Sequence, residues 1–202
     1  MLVSGTRGHR DLRSFQGCNR SLLPQATTIR GDHLWASALS GAAGTGLQWY
    51  WNPYVEKHDL YRQYRGLAKF VADVDWPGHG WKPVKTTRPS QPVSLNVYGL
   101  AAGDRALVWI HDPLAFRVAA GKAEKGPARK GASVNVLGLE EGAYRVEFVD
   151  PRTGEVAAKD AQPVHPLRHF GHGIDLQPPE FWGDIAVKII ARGKEWKEPS
   201  RR

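Results

Sequence analysis

The spacing of hydrophobic positions changes character near residue 82. Upstream it is helical. Leu34, Ala38 and Gly41 fall on one face of a segment over 33–41, with Asp32 placed to cap it. Leu60, Tyr64, Leu67, Val71 and Val74 are spaced four, three, four and three apart, the apolar stripe of an amphipathic helix with Asp59 before it. Arg62, Arg65 and Lys69 lie off that stripe and are expected to face solvent. Between the two helices, Leu47-Gln-Trp-Tyr-Trp-Asn52 reads as an aromatic strand. The glycines of 41–46 follow a helix and precede a strand. A dinucleotide-binding loop has the opposite order, so they read as a turn.

Downstream the period becomes two. Residues 82–92 hold three prolines and predict a stiff, extended linker. Val93, Leu95 and Val97 then alternate with polar residues, and Arg105–His111 is a nearly continuous apolar run suited to a central strand. Further strands are expected at 114–119, 133–139, 143–149, 155–159 and Asp184–Ala191, with a basic loop at Gly121–Gly131. In the third of these five, Tyr144, Val146 and Phe148 oppose Arg145 and Glu147. Several short strands separated by turn residues predict an antiparallel β-sandwich over 93–192.

Composition narrows the function. The chain has 202 residues, 41% of them hydrophobic, and eight tryptophans, enough for a substantial core. Cys18 is the single cysteine, so no intrachain disulfide forms. No apolar run reaches the roughly 18–20 residues of a membrane span, and the first ten residues show no signal-peptide core. The net charge of +8 divides between residues 1–30 and 188–202, and the segment between them holds 17 charges of each sign. A nucleic-acid binder concentrates its charge on one folded face, so neither nucleic acid nor membrane is an expected partner. The pattern predicts a poorly ordered basic segment over 1–31 and a basic tail over 193–202. His165, His169 and His172 sit among Pro163, Pro166, Gly171 and Gly173, which predicts a polar loop and no metal site. No cofactor is expected. Trp76 and Trp81 are expected to pack the loop around Pro77–Gly80, and Trp109 and Trp182 to be core or edge residues of the sandwich.

The segment His33-Leu-Trp-Ala-Ser-Ala-Leu-Ser-Gly-Ala-Ala-Gly-Thr-Gly-Leu-Gln-Trp-Tyr-Trp51 resembles the end of a (β/α)8-barrel glycoside hydrolase of the retaining, cellulase- and mannanase-like clan. Asp104-Arg-Ala-Leu-Val-Trp-Ile-His-Asp112 and Gly142-Ala-Tyr-Arg-Val-Glu-Phe-Val-Asp150 resemble the β domain of collagen-binding-like type that often follows such barrels. The resemblance covers roughly 32–191. It implies an α+β chain in which 32–81 is a barrel remnant (seventh helix, eighth strand, eighth helix) followed by the sandwich. It also implies that full-length relatives are secreted. A complete barrel takes about 250 residues, and the clan's two catalytic glutamates are expected upstream of His33. Residues 1–30 contain no Glu, which suggests a shifted reading frame or a misplaced start.

Retaining hydrolysis needs two carboxyl groups about 5–5.5 Å apart. Near the aromatic strand only Glu56 and Asp59 are at hand, and neither lies in a catalytic pattern. The expectation is therefore a C-terminal fragment of a polysaccharide-active glycosidase, inactive alone, with no catalytic residues of its own. Trp49 and Trp51 share a strand face, and by resemblance one of them lies beneath the sugar, with Asn52, Tyr54 and His58 bordering the cleft. The alternative is a non-catalytic β-sandwich that binds carbohydrate or protein. Polysaccharide or oligosaccharide is the expected partner, with self-association through uncovered barrel surfaces.

Overall fold

The computed structural model describes residues 32–42, 55–57, 59–86, 95–119, 122–167 and 171–196. The predicted site residues Trp49, Trp51, Asn52, Tyr54 and His58 lie outside them, as does the aromatic strand.

Among the described residues, two α-helices precede the strands. Helix α1 spans 32–39. Helix α2, Tyr64–Val71, follows a 3₁₀ turn at Leu60–Gln63. Ten strands follow: β1 (Lys82–Pro83), β2 (Asn96–Ala101), β3 (Arg105–His111), β4 (Phe116–Ala119), β5 (Lys122–Lys125), β6 (Val134–Leu137), β7 (Gly142–Val149), β8 (Val156–Leu167), β9 (Gly171–Leu176) and β10 (Asp184–Ala191). β4 and β5 form a separate hairpin. The other eight make one antiparallel sheet in the order β1-β2-β3-β10-β7-β8-β9-β6.

This arrangement corrects the expected fold class in two respects. The strands do not divide into the two facing sheets of a sandwich. β8 runs for twelve residues, pairing with β7 over its first part and with β9 over its last, and so carries the sheet around a bend. The two ends of the strand order approach each other, and Lys85 bridges Leu137 just beyond β1. Inside the curl lies one apolar cluster. It takes Ala106, Val108 and Ile110 from β3, Ile185, Val187 and Ile189 from β10, Tyr144, Val146 and Phe148 from β7, and Val134 and Val136 from β6.

Secondly, the helices do not form a barrel remnant. Leu34, Trp35 and Leu39 of α1 and Leu67 and Phe70 of α2 pack on the outer face of the sheet, against Leu107, Trp109, Val149, Ala186 and Ile190. β3 and β10 are thus covered on both faces, which is why Arg105–His111 is apolar almost throughout instead of alternating. The stripe at 60–74 finds its cover within the chain: Leu60 and Leu67 are buried, and Tyr64, Val71 and Val74 are partly so. Asp59 precedes the helix in the left-handed region, at φ 47°, and its side chain makes no capping hydrogen bond.

Two polar devices hold this frame. Tyr144 is buried, and its hydroxyl donates to the carbonyls of Gly103 and Glu140 at 3.1 and 3.0 Å. Burial, with Glu140 and Asp104 nearby, pushes that phenol up to about 12. Lys188 is the polar interruption of the outward face of β10. It pairs with Asp73 and lies over the rings of Phe70 and Trp196 at 5.4 and 5.2 Å.

Candidate functional site

β3 and β10 pair so that His111, the last residue of one, stands opposite Asp184, the first of the other. Side chains alternate along a strand. Leu107, Trp109 and His111 therefore share the outward face of β3, beneath the helices. The indole of Trp109 stacks on His111 (centroids 5.0 Å, 21° between planes) and on Trp35 of α1 (6.4 Å, 21°). Its Nε1 donates to Asp184 Oδ2 at 3.0 Å. Asp32, in the first turn of α1, comes over the same spot, with Oδ1 3.8 Å from His111 Nδ1. That separation exceeds a hydrogen bond. His111 Nδ1 is buried and makes none.

Asp32, Trp35, His111 and Asp184 form the floor of a cleft of about 810 Å³, a volume typical of small-ligand sites. One wall is the 3₁₀ turn with Arg62 and Gln63 and the helix α2 that follows it, with Arg65 and Lys69. The other is the turn after β7, with Pro151, Arg152 and Thr153, and the segment before β10, with Trp182 and Gly183. Lys69 pairs with Glu155, and Arg152 approaches Asp150 at 3.4 Å. Arg62 and Arg65 are exposed and have no ion-pair partner among the described residues. Trp182 is half-buried, and its Nε1 donates to the carbonyl of Gly126 at 2.9 Å. This fixes the ring at the cleft edge.

α2 can form this wall because Gly66 lets its backbone meet the turn. A Cβ at Gly66 would stand 1.8 Å from the Pro151 carbonyl oxygen. Gly154 supplies the left-handed residue of that turn, at φ 70°.

Proximity and burial change the proton affinities of the floor. Burial, and then the neighbouring Asp184, push Asp32 up to about 7. Burial pushes Asp184 up to about 6; the Trp109 hydrogen bond and Arg152 oppose it, and Asp150 adds to it. Burial lowers His111 against the upward pull of Asp112. Near neutrality the floor therefore holds a carboxyl able to donate a proton, a carboxylate and a neutral imidazole. Each can hydrogen-bond a hydroxyl group. Among the described residues there is no group of three or more His, Cys, Asp or Glu suited to a metal.

The sequence pattern predicts Asp32 as a helix cap and Trp109 and Trp182 as core or edge residues, and it marks His111 and Asp184 only as strand ends. The usable signal was local. His111 follows the apolar outward pair Leu107 and Trp109 on β3, and Asp184 opens a strand whose inward positions are all aliphatic.

No family model matches the chain, and no curated protein does. Among solved structures, a protein described as a glycoside hydrolase aligns at a TM-score of 0.42 and 8% identity, over 77% of this chain and 31% of that one. The present chain thus spans under a third of that protein's length.

Proposed function

We propose that the chain is the carbohydrate-holding part of a polysaccharide-active glycoside hydrolase, and that it binds glycan without cleaving it. The observation that carries this reading is the cleft itself. It combines a partly exposed indole, Trp182, with a floor of hydroxyl-binding groups, Asp32, His111 and Asp184. Sugars are recognised by this combination of a ring to lie against and polar groups for hydroxyls. The sequence resemblance at 33–51 and 104–150 points to the same chemistry. The aromatic segment with Trp49, Trp51, Asn52, Tyr54 and His58 belongs to the proposal as a further contact region.

Calorimetric titration of the purified chain with mannan, xylan and glucan oligosaccharides tests it. Saturable binding is expected, weakened about tenfold by Trp182→Ala, equivalent to about 1.4 kcal/mol. A Trp49→Ala, Trp51→Ala double variant tests the aromatic segment in the same way. Absence of binding to every oligosaccharide would overturn the proposal. The two carboxyls on the floor favour a second reading, hydrolysis by Asp32 and Asp184. Release of reducing ends that Asp184→Asn abolishes would establish that activity instead.

A further inference from the structure

The charges of the cleft are segregated. Its floor carries Asp32, His111 and Asp184, and its helical wall carries Arg62, Arg65 and Lys69. Lys69 is neutralised by Glu155. Arg152, on the opposite wall, is engaged by Asp150. That leaves Arg62 and Arg65 as the cations of the lining without an ion-pair partner among the described residues. They lie three residues apart on consecutive turns, and so are neighbours on the helix surface. A guanidinium is built to take a carboxylate in a two-pronged hydrogen bond. The floor has the opposite preference. Its two carboxyls repel an anion brought close to them, but they accept and donate hydrogen bonds to neutral hydroxyls, and the buried Nδ1 of His111 has no partner of its own. A ligand that satisfies both regions carries one localised negative charge and several hydroxyl groups. A nucleic-acid backbone or sulfated polymer, charged along its whole length, would press charge against the floor.

Resting on the glycan reading above, we propose that the cleft selects an acidic sugar. The ligand is a uronic-acid-bearing oligosaccharide whose carboxylate is held by Arg62 and Arg65 while its ring hydroxyls meet Asp32, His111 and Asp184.

The test is calorimetric titration of the full chain at moderate ionic strength with three probes: glucuronosyl-xylobiose, a trisaccharide with a single carboxylate, the neutral trisaccharide xylotriose, and dextran sulfate. Wild type should bind the uronide at least tenfold more tightly than the neutral sugar. An Arg62→Ala, Arg65→Ala double variant should lose that preference, and the Arg62→Lys, Arg65→Lys pair should recover part of it. Both arginines are exposed, so an unchanged thermal midpoint in these variants is expected and separates a binding effect from misfolding. Equal affinity for the two trisaccharides would overturn the acidic-sugar assignment and leave the glycan reading intact. Failure to bind the uronide would overturn the assignment, and absence of binding to every neutral and acidic oligosaccharide would remove the glycan reading as well. A uronide preference that survives in the alanine variant, or dextran sulfate binding as tight as the uronide, would place the anion on the basic termini and overturn the assignment.

Discussion

At the scale of single residues, Trp109 ties the core to the cleft. Its ring fills space between α1 and the sheet, and its indole N–H is spent on Asp184. Trp109→Phe keeps most of the apolar volume and removes the donor. A hydrogen bond to a charged acceptor favours the charged form, so Asp184 in this variant should titrate above its value of about 6. Carboxyl ¹³C shifts followed against pH would show it, and an unmoved titration would mean that the indole bond does not hold the carboxylate. The cost in stability should be about 1–3 kcal/mol, that of leaving a buried acceptor without its partner. None of this is visible in the sequence around Trp109, where an apolar run of five residues, Ala106–Ile110, hides a polar contact made 75 positions later. Asp32 was misleading for a related reason. An acid at the start of a helical stripe satisfies the rule for a cap, and nothing local says that a strand 79 residues onward brings His111 to it.

At the scale of elements, the seat of α2 on the turn after β7 depends on Gly66. Gly66→Ala would place a methyl group inside the van der Waals radius of the Pro151 carbonyl, and backbone on both sides prevents an easy retreat. The helix must lift from the sheet. A loss of about 2–4 kcal/mol is expected, at or beyond the upper part of the usual overpacking range. It should appear in the urea midpoint, together with faster amide exchange in Tyr64–Val71 and weaker ligand binding at the wall that the helix provides. A variant of unchanged stability would show that the contact is looser than described. The positions of β3, β7 and β10 were legible because their patterns follow directly from burial. Both faces of β3 are covered, and β7 alternates cleanly between Tyr144, Val146 and Phe148 inward and Arg145 and Glu147 outward. Where β9 and the far half of β8 lie, the sequence pattern predicts a loop. Pro163, Pro166, Gly171 and Gly173 exclude a helix, and they argue only weakly against strands at the margin of a sheet. Missing that continuation of β8 is what turned one curled sheet into an expected pair.

At the scale of the whole molecule, the cleft makes stability depend on pH in an unusual direction. A carboxyl whose proton affinity is raised by folding stabilises the native state fully below its unfolded value, near 3.8, and loses that contribution as pH rises through the folded value. For Asp32 and Asp184 the folded values are about 7 and about 6, so the loss runs from about pH 4 to neutrality. His111 works against it, because an imidazole lowered by folding costs stability as pH falls below about 6.5. Above that point the histidine contribution is complete while Asp32 is still losing its proton, so the net slope is downward. Stability should therefore peak on the acid side of neutrality. At about pH 8 it should be lower by an amount of order 2–4 kcal/mol, a figure moderated by the residual exposure of Asp32. Asp32→Asn removes both the repulsion and the titration, so it should raise the urea midpoint at about pH 8 and flatten the profile, with little change at about pH 5. The charged groups facing the floor, Asp150 and Arg152 beside Asp184 and Asp112 beside His111, stay in place in that variant. A profile unaltered by Asp32→Asn would mean that the two acids do not share the floor of one cleft. The hydroxyl-binding floor on which the glycan reading stands would then be lost.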